Sequence, residues 1–296
     1  MEPQHRLKIG ITGATGFIGQ RLVDVINRVG HYPVALTRNP VGEVTGCIET
    51  RRLTPGKKID LDGLDAIVNL AGEPIFGLFC TVHKKRRILA SRRDGTRALV
   101  DAILEARSRG TGPTVLINGS AIGYYGNTGD REIDESSPAG KGFLAEVSAA
   151  WEAEALRAEA GGIRVVILRI GLVLGRNGGA MKLLRPLVRV GLGAKFGSGN
   201  QWVSWVHVSD VARLAVHAIE NSNIKGPINA TSPTPVRNAD FVDALARRLN
   251  RRAWFTVPAP VLKLLLGELA HALLDSQRIL PRRAEEFGYH CQYRKL

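Results

Sequence analysis

The chain has 296 residues, 44% hydrophobic and 23% charged, with 41 lysines and arginines against 27 aspartates and glutamates for a formal net charge of +14. That length buries one large core or two modest ones, and that balance excludes a disordered chain. No apolar run reaches the about 20 residues of a membrane helix, since the most apolar stretch, 257–274, is interrupted by Pro258, Pro260, Lys263, Glu268 and His271.

The opening Met-Glu-Pro-Gln-His-Arg leads directly into an apolar strand ending at Thr12, which leaves no room for a signal peptide and makes a cytoplasmic location the expectation. Gly13, Gly16 and Gly19 follow with the spacing G-x-x-G-x-x-G, and the helical period of Ile18, Leu22, Val25, Ile26 and Val29 begins inside the same segment. Strand, glycine turn and helix start in succession form a dinucleotide cradle. The first glycine permits the turn, the second admits the diphosphate, and the third lets helix and strand approach. Gly13, Thr15, Gly16, Phe17, Ile18 and Gly19 are therefore the expected phosphate-binding residues, their amides aided by the helix dipole.

A second strand runs from Tyr32 to Thr37 and delivers Arg38 and Asn39 at its end. An NAD site would place a carboxylate there for the ribose 2′-hydroxyl; a guanidinium instead pairs with a 2′-phosphate. NADP(H) is the expected cofactor, the alternative being a surface arginine that merely follows a strand. A further strand is expected near Ile48–Leu53, and Asp65–Gly72 reads as a buried strand closing in a small-residue turn, where Leu70, Ala71 and Gly72 let a cofactor pass close to the backbone.

Ile88–Ala106 has the pattern of a long amphipathic helix. It follows a basic run, Lys84 to Arg87, and carries Arg92, Arg93 and Arg97 with Asp94 as counter-charge. No aromatic residues interleave this run, so a solvated helix face is expected and no nucleic-acid partner. Strands at Pro113–Asn118 and Ile163–Leu168 flank a helix over Gly142–Ala160. The alternation gives right-handed crossovers and one parallel sheet covered on both faces. Cys47, Cys80 and Cys291 are odd in number and far apart, which reads as free structural thiols, with no metal spacing.

From Gly171 the alternation weakens into a glycine- and tryptophan-rich stretch ending at His207, a helix capped by Ser209 or Asp210 and running to Glu220, and a mainly helical tail. The fold expectation is α/β: a Rossmann-type doubly wound parallel sheet with a smaller, mainly helical C-terminal lobe. Residues 1–170 form the nucleotide domain, with segments of 203–232 returning to it, and 171–296 supply the substrate-side loops and the lobe.

Several segments together resemble the extended short-chain dehydrogenases/reductases: Thr12–Gly19, Asn69–Gly72, Ser120 and Val206–Asp210. Adding Asn69–Pro74, Ser91-Arg92, Gly123–Gly126, Trp151-Glu152, Gly171–Gly175, Gly197–Trp202 and the segment around Leu280-Pro281, the chain resembles the epimerase family of atypical, nucleotide-sugar epimerase-like members, some labelled cell-division inhibitors. The resemblance covers nearly the whole chain and implies an NADP(H)-dependent oxidoreductase or epimerase-like activity on a small carbonyl or sugar-type substrate. It also implies a place for Arg92 near the phosphates.

The chain departs from that superfamily at its chemistry. A Tyr-x-x-x-Lys pair is absent, and the corresponding helix reads Phe143-Leu-Ala-Glu-Val-Ser148; phenylalanine has no proton to exchange. Ser120 is the expected donor to a substrate oxygen, or an ordinary turn residue, and Tyr125 is the substitute acid, with Lys141 or Arg169 as help, or a packing residue. Gln201, Trp202 and His207 are expected at the substrate pocket, although His207 and Asp210 also suit a helix entry. A binder of NADP(H) without turnover is the alternative function, and a homodimer is an allowed assembly.

Overall fold

The computed structural model describes residues 6–38, 42–53, 59–75, 81–176, 178–179, 181, 194–253 and 255–296. Seven parallel strands form the central sheet: β1 (Lys8–Thr12), β2 (Tyr32–Thr37), β3 (Glu49–Arg52), β4 (Ala66–Asn69), β5 (Val115–Ala121), β7 (Arg164–Ile170) and β12 (Gly226–Ala230). Between them in the chain lie two-residue β6 (Glu132–Ile133), β8 (Leu172–Leu174), β9 (Ala194–Phe196), β10 (Trp202–Val203) and β11 (Trp205–His207). Strand order across the sheet is β12-β7-β5-β4-β1-β2-β3. The order reverses between β1 and β4, and open α/β sheets bind ligands over the carboxyl ends of strands at such a reversal.

Helices cover both faces because the inner strands are apolar on both sides, while edge strand β3 is polar. On one face α1 (Phe17–Arg28) buries Leu22, Val23, Val25 and Ile26 against β1 and β4 and against α4 (Val208–Glu220). On the other, α2 (Val82–Ser108) buries Leu99, Val100 and Ile103, and α3 (Phe143–Leu156) packs beside it. Burial of this kind stabilises by about 25 cal/mol per Å² of apolar surface, which makes these two layers the main source of stability.

Helix α2 begins six residues before the apolar period does. Thr81 caps it, its hydroxyl accepting from Lys84 N at 3.1 Å, and the basic first turns are held from outside by Glu73, which pairs with Lys84 and Arg87, and by Glu268, which pairs with Lys85. The basic run is thus a partnered helix face.

The remaining elements build the lobe: β13 (Val236–Arg237), α5 (Asn238–Arg248), β14 (Phe255–Val257), α6 (Ala259–Leu266), α7 (His271–Leu274), β15 (Arg278–Ile279) and α8 (Arg282–Glu286). Short strands punctuate what the sequence pattern presents as mainly helical. Each pairs with a partner from the middle of the chain: β13 with β10, β14 with β9 and β15 with β6. No helix among the described residues is long and apolar enough to cross a membrane.

Candidate functional site

The reversal point is built by Thr12, the last residue of β1. Its hydroxyl donates to Asn69 Oδ1 at 2.6 Å and accepts from the amides of Leu70 and Ala71 at 3.0 and 3.1 Å, so the loop after β4 is bonded to the end of β1. Asn69 in turn donates to Thr96 Oγ1 and Asn118 Oδ1. All four side chains are buried. A satisfied buried network of this kind fixes one arrangement of the loops around it.

Between those loops lies the glycine turn. Gly13 has φ of +72°, and a Cβ there would lie 3.1 Å from the carbonyl of Leu70. At Gly19 a Cβ would fall 2.1 Å from Gly13 O, so only hydrogen permits the helix to start this close to β1. Gly16 is the N-cap of α1, with no side-chain cap, and the first turn holds no acidic residue. The amides of that turn remain available to an anion, and the dipole favours one. Thr15 and Gly16 are exposed beside them, Ile18 is half-buried, and the ring of Phe17 is pressed into a glycine stretch, where a Cβ on Gly178 would lie 2.2 Å from it.

Arg38 stands exposed at the end of β2 with no ion-pair partner among the described residues. Asn39 lies outside them. Leu70, Ala71 and Gly72 face the glycine turn across the reversal, and Arg92 lies against Gly72, where a Cβ would be 3.3 Å from its guanidinium carbon. Arg92 donates to the carbonyl of Glu73 at 3.0 Å and sits 5.1 Å from the Trp151 ring. It is 9% exposed and meets no carboxylate at ion-pair distance among the described residues, and burial pulls it down to about 10. The indole N–H of Trp151, also buried, has no acceptor among the described residues.

Ser120 and Tyr125, the residues expected to do chemistry, are joined through Glu152 and Arg169. Ser120 donates to Glu152 Oε1 at 2.6 Å, and Arg169 holds the same carboxylate through Nε at 3.0 Å and Nη2 at 2.8 Å. With its O–H donated to Glu152, Ser120 has lone pairs left as acceptors. Tyr125 donates to Asn229 Oδ1 at 2.7 Å and accepts from Arg169 Nη1 at 2.9 Å. It is 3% exposed, and burial pushes its phenol up to about 12. Glu152, Asn229 and Glu135, whose carboxylate accepts from Asn229 N, complete the network, and burial raises the Glu135 carboxyl above its ordinary value. Arg169 stands beside Tyr125 as the sequence suggests, whereas Glu135 and Asn229 gave no local signal and Glu152 only its place in the family-like pair Trp151-Glu152.

Where a Tyr-x-x-x-Lys pair would sit, the structure has an apolar cluster. Phe143, Leu144 and Val147 of α3 pack with Ile88 of α2 and with Leu266 and Leu269 of the lobe. The lobe therefore closes over the start of α3 by hydrophobic contact, and Lys141 belongs to the loop that precedes it.

Three pocket expectations separate. The Gln201 amide donates to the carbonyls of Phe196 and Leu273, which binds it into the lobe. Trp202 donates to Asp130, and its ring is covered by Arg237 at 4.0 Å and Arg278 at 4.8 Å. His207, in place of Ser209 or Asp210, caps α4 by accepting from Ser209 N at 3.3 Å, and its ring stacks on Tyr293 at 3.8 Å. Asp210 instead receives the amides of Gln292 and Tyr293, because its buried carboxylate points at the C-terminal segment. Ser209 Oγ accepts from Arg21 of α1.

Cys47 and Cys291 are free thiols, both raised by burial, to about 11 and about 12, which makes them unreactive at neutral pH; Cys80 lies outside the described residues. No cluster of potential metal ligands occurs among the described residues.

Comparison with known proteins matches residues 9–230 to the NAD dependent epimerase/dehydratase family and residues 257–296 to a domain of unknown function, DUF1731. The chain is 39% identical to the "Epimerase family protein SDR39U1 homolog, chloroplastic" of Arabidopsis thaliana, over 99% of this chain and 85% of that protein. It is 36% identical to the epimerase family protein YfhF of Bacillus subtilis, over 98% and 95%. Among solved structures it is similar to human epimerase family protein SDR39U1 (isoform2) with NADPH, at 30% identity and a TM-score of 0.85, covering 98% of this chain and 96% of that one.

Proposed function

The chain belongs to the NAD dependent epimerase/dehydratase family, and from that premise we propose that it is an NADP(H)-binding short-chain dehydrogenase/reductase-like protein, with occupancy of the nucleotide site as its primary property. The observation that carries this reading is the pairing of a glycine turn, in which a Cβ at Gly19 would collide with Gly13 O, with an exposed guanidinium at Arg38 that no carboxylate among the described residues neutralises. The donor set fits the group. Amides of Phe17, Ile18 and Gly19 would hold the diphosphate, Arg38 the 2′-phosphate, and Leu70–Gly72 would form the opposite wall, with Arg92 supplying positive charge behind it.

When bound, NADP(H) supplies hydride transfer chemistry. The chain's own hydroxyls are arranged to accept and to brace: Ser120 donates its hydrogen bond to Glu152 and keeps its lone pairs as acceptors, and Tyr125 ties β12 to β7 through Asn229 and Arg169. Binding without Tyr-mediated proton exchange follows. The second reading is an oxidoreductase or epimerase-like enzyme on a carbonyl or sugar-type substrate, favoured by the lone pairs of Ser120, which suit a substrate hydroxyl.

Fluorescence titration of the purified protein with NADPH and NADH tests the first reading, and NADPH absorbance over a panel of sugars, aldehydes and ketones tests the second. Saturable NADPH binding with no oxidation across the panel supports the binder. Failure to bind either nucleotide overturns both.

A further inference from the structure

The lobe contains a cavity of about 400 Å³ between β8, β11, α5 and the C-terminal segment, and its lining residue Gly175 lies against the ring of Phe17 in the glycine turn. Ligand pockets run from about 300 to 1,000 Å³, so this is room for a small molecule. Its floor is apolar, formed by Leu174, Trp205 and Phe241, which also belong to a small hydrophobic core of the lobe, and by Leu245. A core that leaves such a gap gives up dispersion contacts on every side chain that borders it.

The charged side chains on its wall, among the described residues, are of one sign. Arg176, Arg248 and Lys295 line it, and the described lining includes no aspartate or glutamate. The stacked pair His207 and Tyr293 forms the side toward α4. Positive potential there is felt by the imidazole of His207, which burial and then Arg21, Arg213 and Arg248 hold below its ordinary value against the opposing pull of Asp210. The Asp210 carboxylate is turned to Arg213, Tyr289 and the amides of 292 and 293, so it faces the tail.

We propose that this cavity is a second ligand site, adjoining the glycine turn at Phe17, and that it takes an apolar monoanion: an aliphatic chain over Leu174, Phe241 and Leu245 with its carboxylate toward Arg248 and Lys295. Apolar burial supplies affinity and the cations select the head group. A neutral chain of equal length keeps the first contribution and loses the second. A cationic chain meets repulsion.

Isothermal titration of the full chain with decanoate, decanol and decyltrimethylammonium tests this, with and without saturating NADPH. Decanoate is expected to bind at one site, decanol at least tenfold more weakly, and the cation not at all. Ala244→Phe, which projects a ring into the cavity from α5, is expected to abolish decanoate binding, and Arg248→Glu, at an exposed position, to weaken it at least tenfold with the melting temperature unchanged. Absence of saturable binding, equal affinity for decanol, or wild-type affinity in a folded Arg248→Glu variant would each overturn the site. Should Ala244→Phe fail to fold, the charge reversal decides alone.

Discussion

Arg169 grips Glu152 through two hydrogen bonds, at 3.0 and 2.8 Å, and both side chains are buried at the carboxyl end of the sheet. Removing one member of a buried pair leaves the other charge uncompensated, at a cost of about 3 to 5 kcal/mol. Glu152→Gln is therefore expected to lose stability on that scale in urea denaturation. Ser120→Ala, which leaves the pair intact, is expected to lose about 1 kcal/mol. Comparable losses for the two variants would mean that the carboxylate does not anchor the network.

Tyr125 gives the protein an alkaline limit. Its phenol is raised to about 12 from an ordinary value of about 10. The folded state holds that proton more tightly than the unfolded state does, so the contribution is complete below pH 10 and is lost as pH rises toward 12. Cys47, raised to about 11, and Cys291, raised to about 12, act in the same direction from about pH 9. Stability in urea should fall between pH 9 and 12, and Tyr125→Phe should make that fall shallower. A slope unaffected by the substitution would remove the phenol from the account.

Selection of the phosphorylated cofactor rests on Arg38. Arg38→Ala is expected to weaken NADPH by about 1.5 to 3 kcal/mol, the scale of a hydrogen bond to a charged group, and to leave NADH nearly unchanged. Equal losses for both nucleotides, measured by fluorescence titration, would show that the guanidinium does not meet the 2′-phosphate.

The three glycines of the turn are unequal. A Cβ at Gly19 lies 2.1 Å from Gly13 O, whereas one at Gly16 lies 3.1 Å from the same atom. Gly19→Ala must push α1 off β1 and should abolish NADPH binding. Gly16→Ala needs a shift of only a few tenths of an ångström and should retain weakened binding. Dialysis with NADPH distinguishes the two, and an unimpaired Gly19→Ala protein would contradict the cradle.

Much of the architecture is written locally in the chain. Strand β2 occupies the residues its apolar run indicates, Tyr32–Thr37, and α1 starts at Phe17, where the glycine spacing ends the turn. The doubly wound sheet follows from the interval of strands and helices, and the nucleotide cradle from spacing within a dozen residues. Helix α2 is longer than its apolar period because Thr81 and the distant acids Glu73 and Glu268 support a first turn made of cations.

The chemistry of the candidate site was decided elsewhere. Ser120 and Tyr125 were visible as hydroxyls near the end of β5, but what each hydroxyl does depends on Glu152, Arg169 and Asn229, which arrive from α3, β7 and β12. Likewise His207 became a helix cap and Asp210 an anchor for the tail through partners at 209 and 289–293. Periodicity and glycine spacing act over a few residues, so the sequence by itself determined the elements and the phosphate turn. The direction of a hydrogen bond depends on which donor the folded chain brings within 3 Å, and that only the tertiary structure decided.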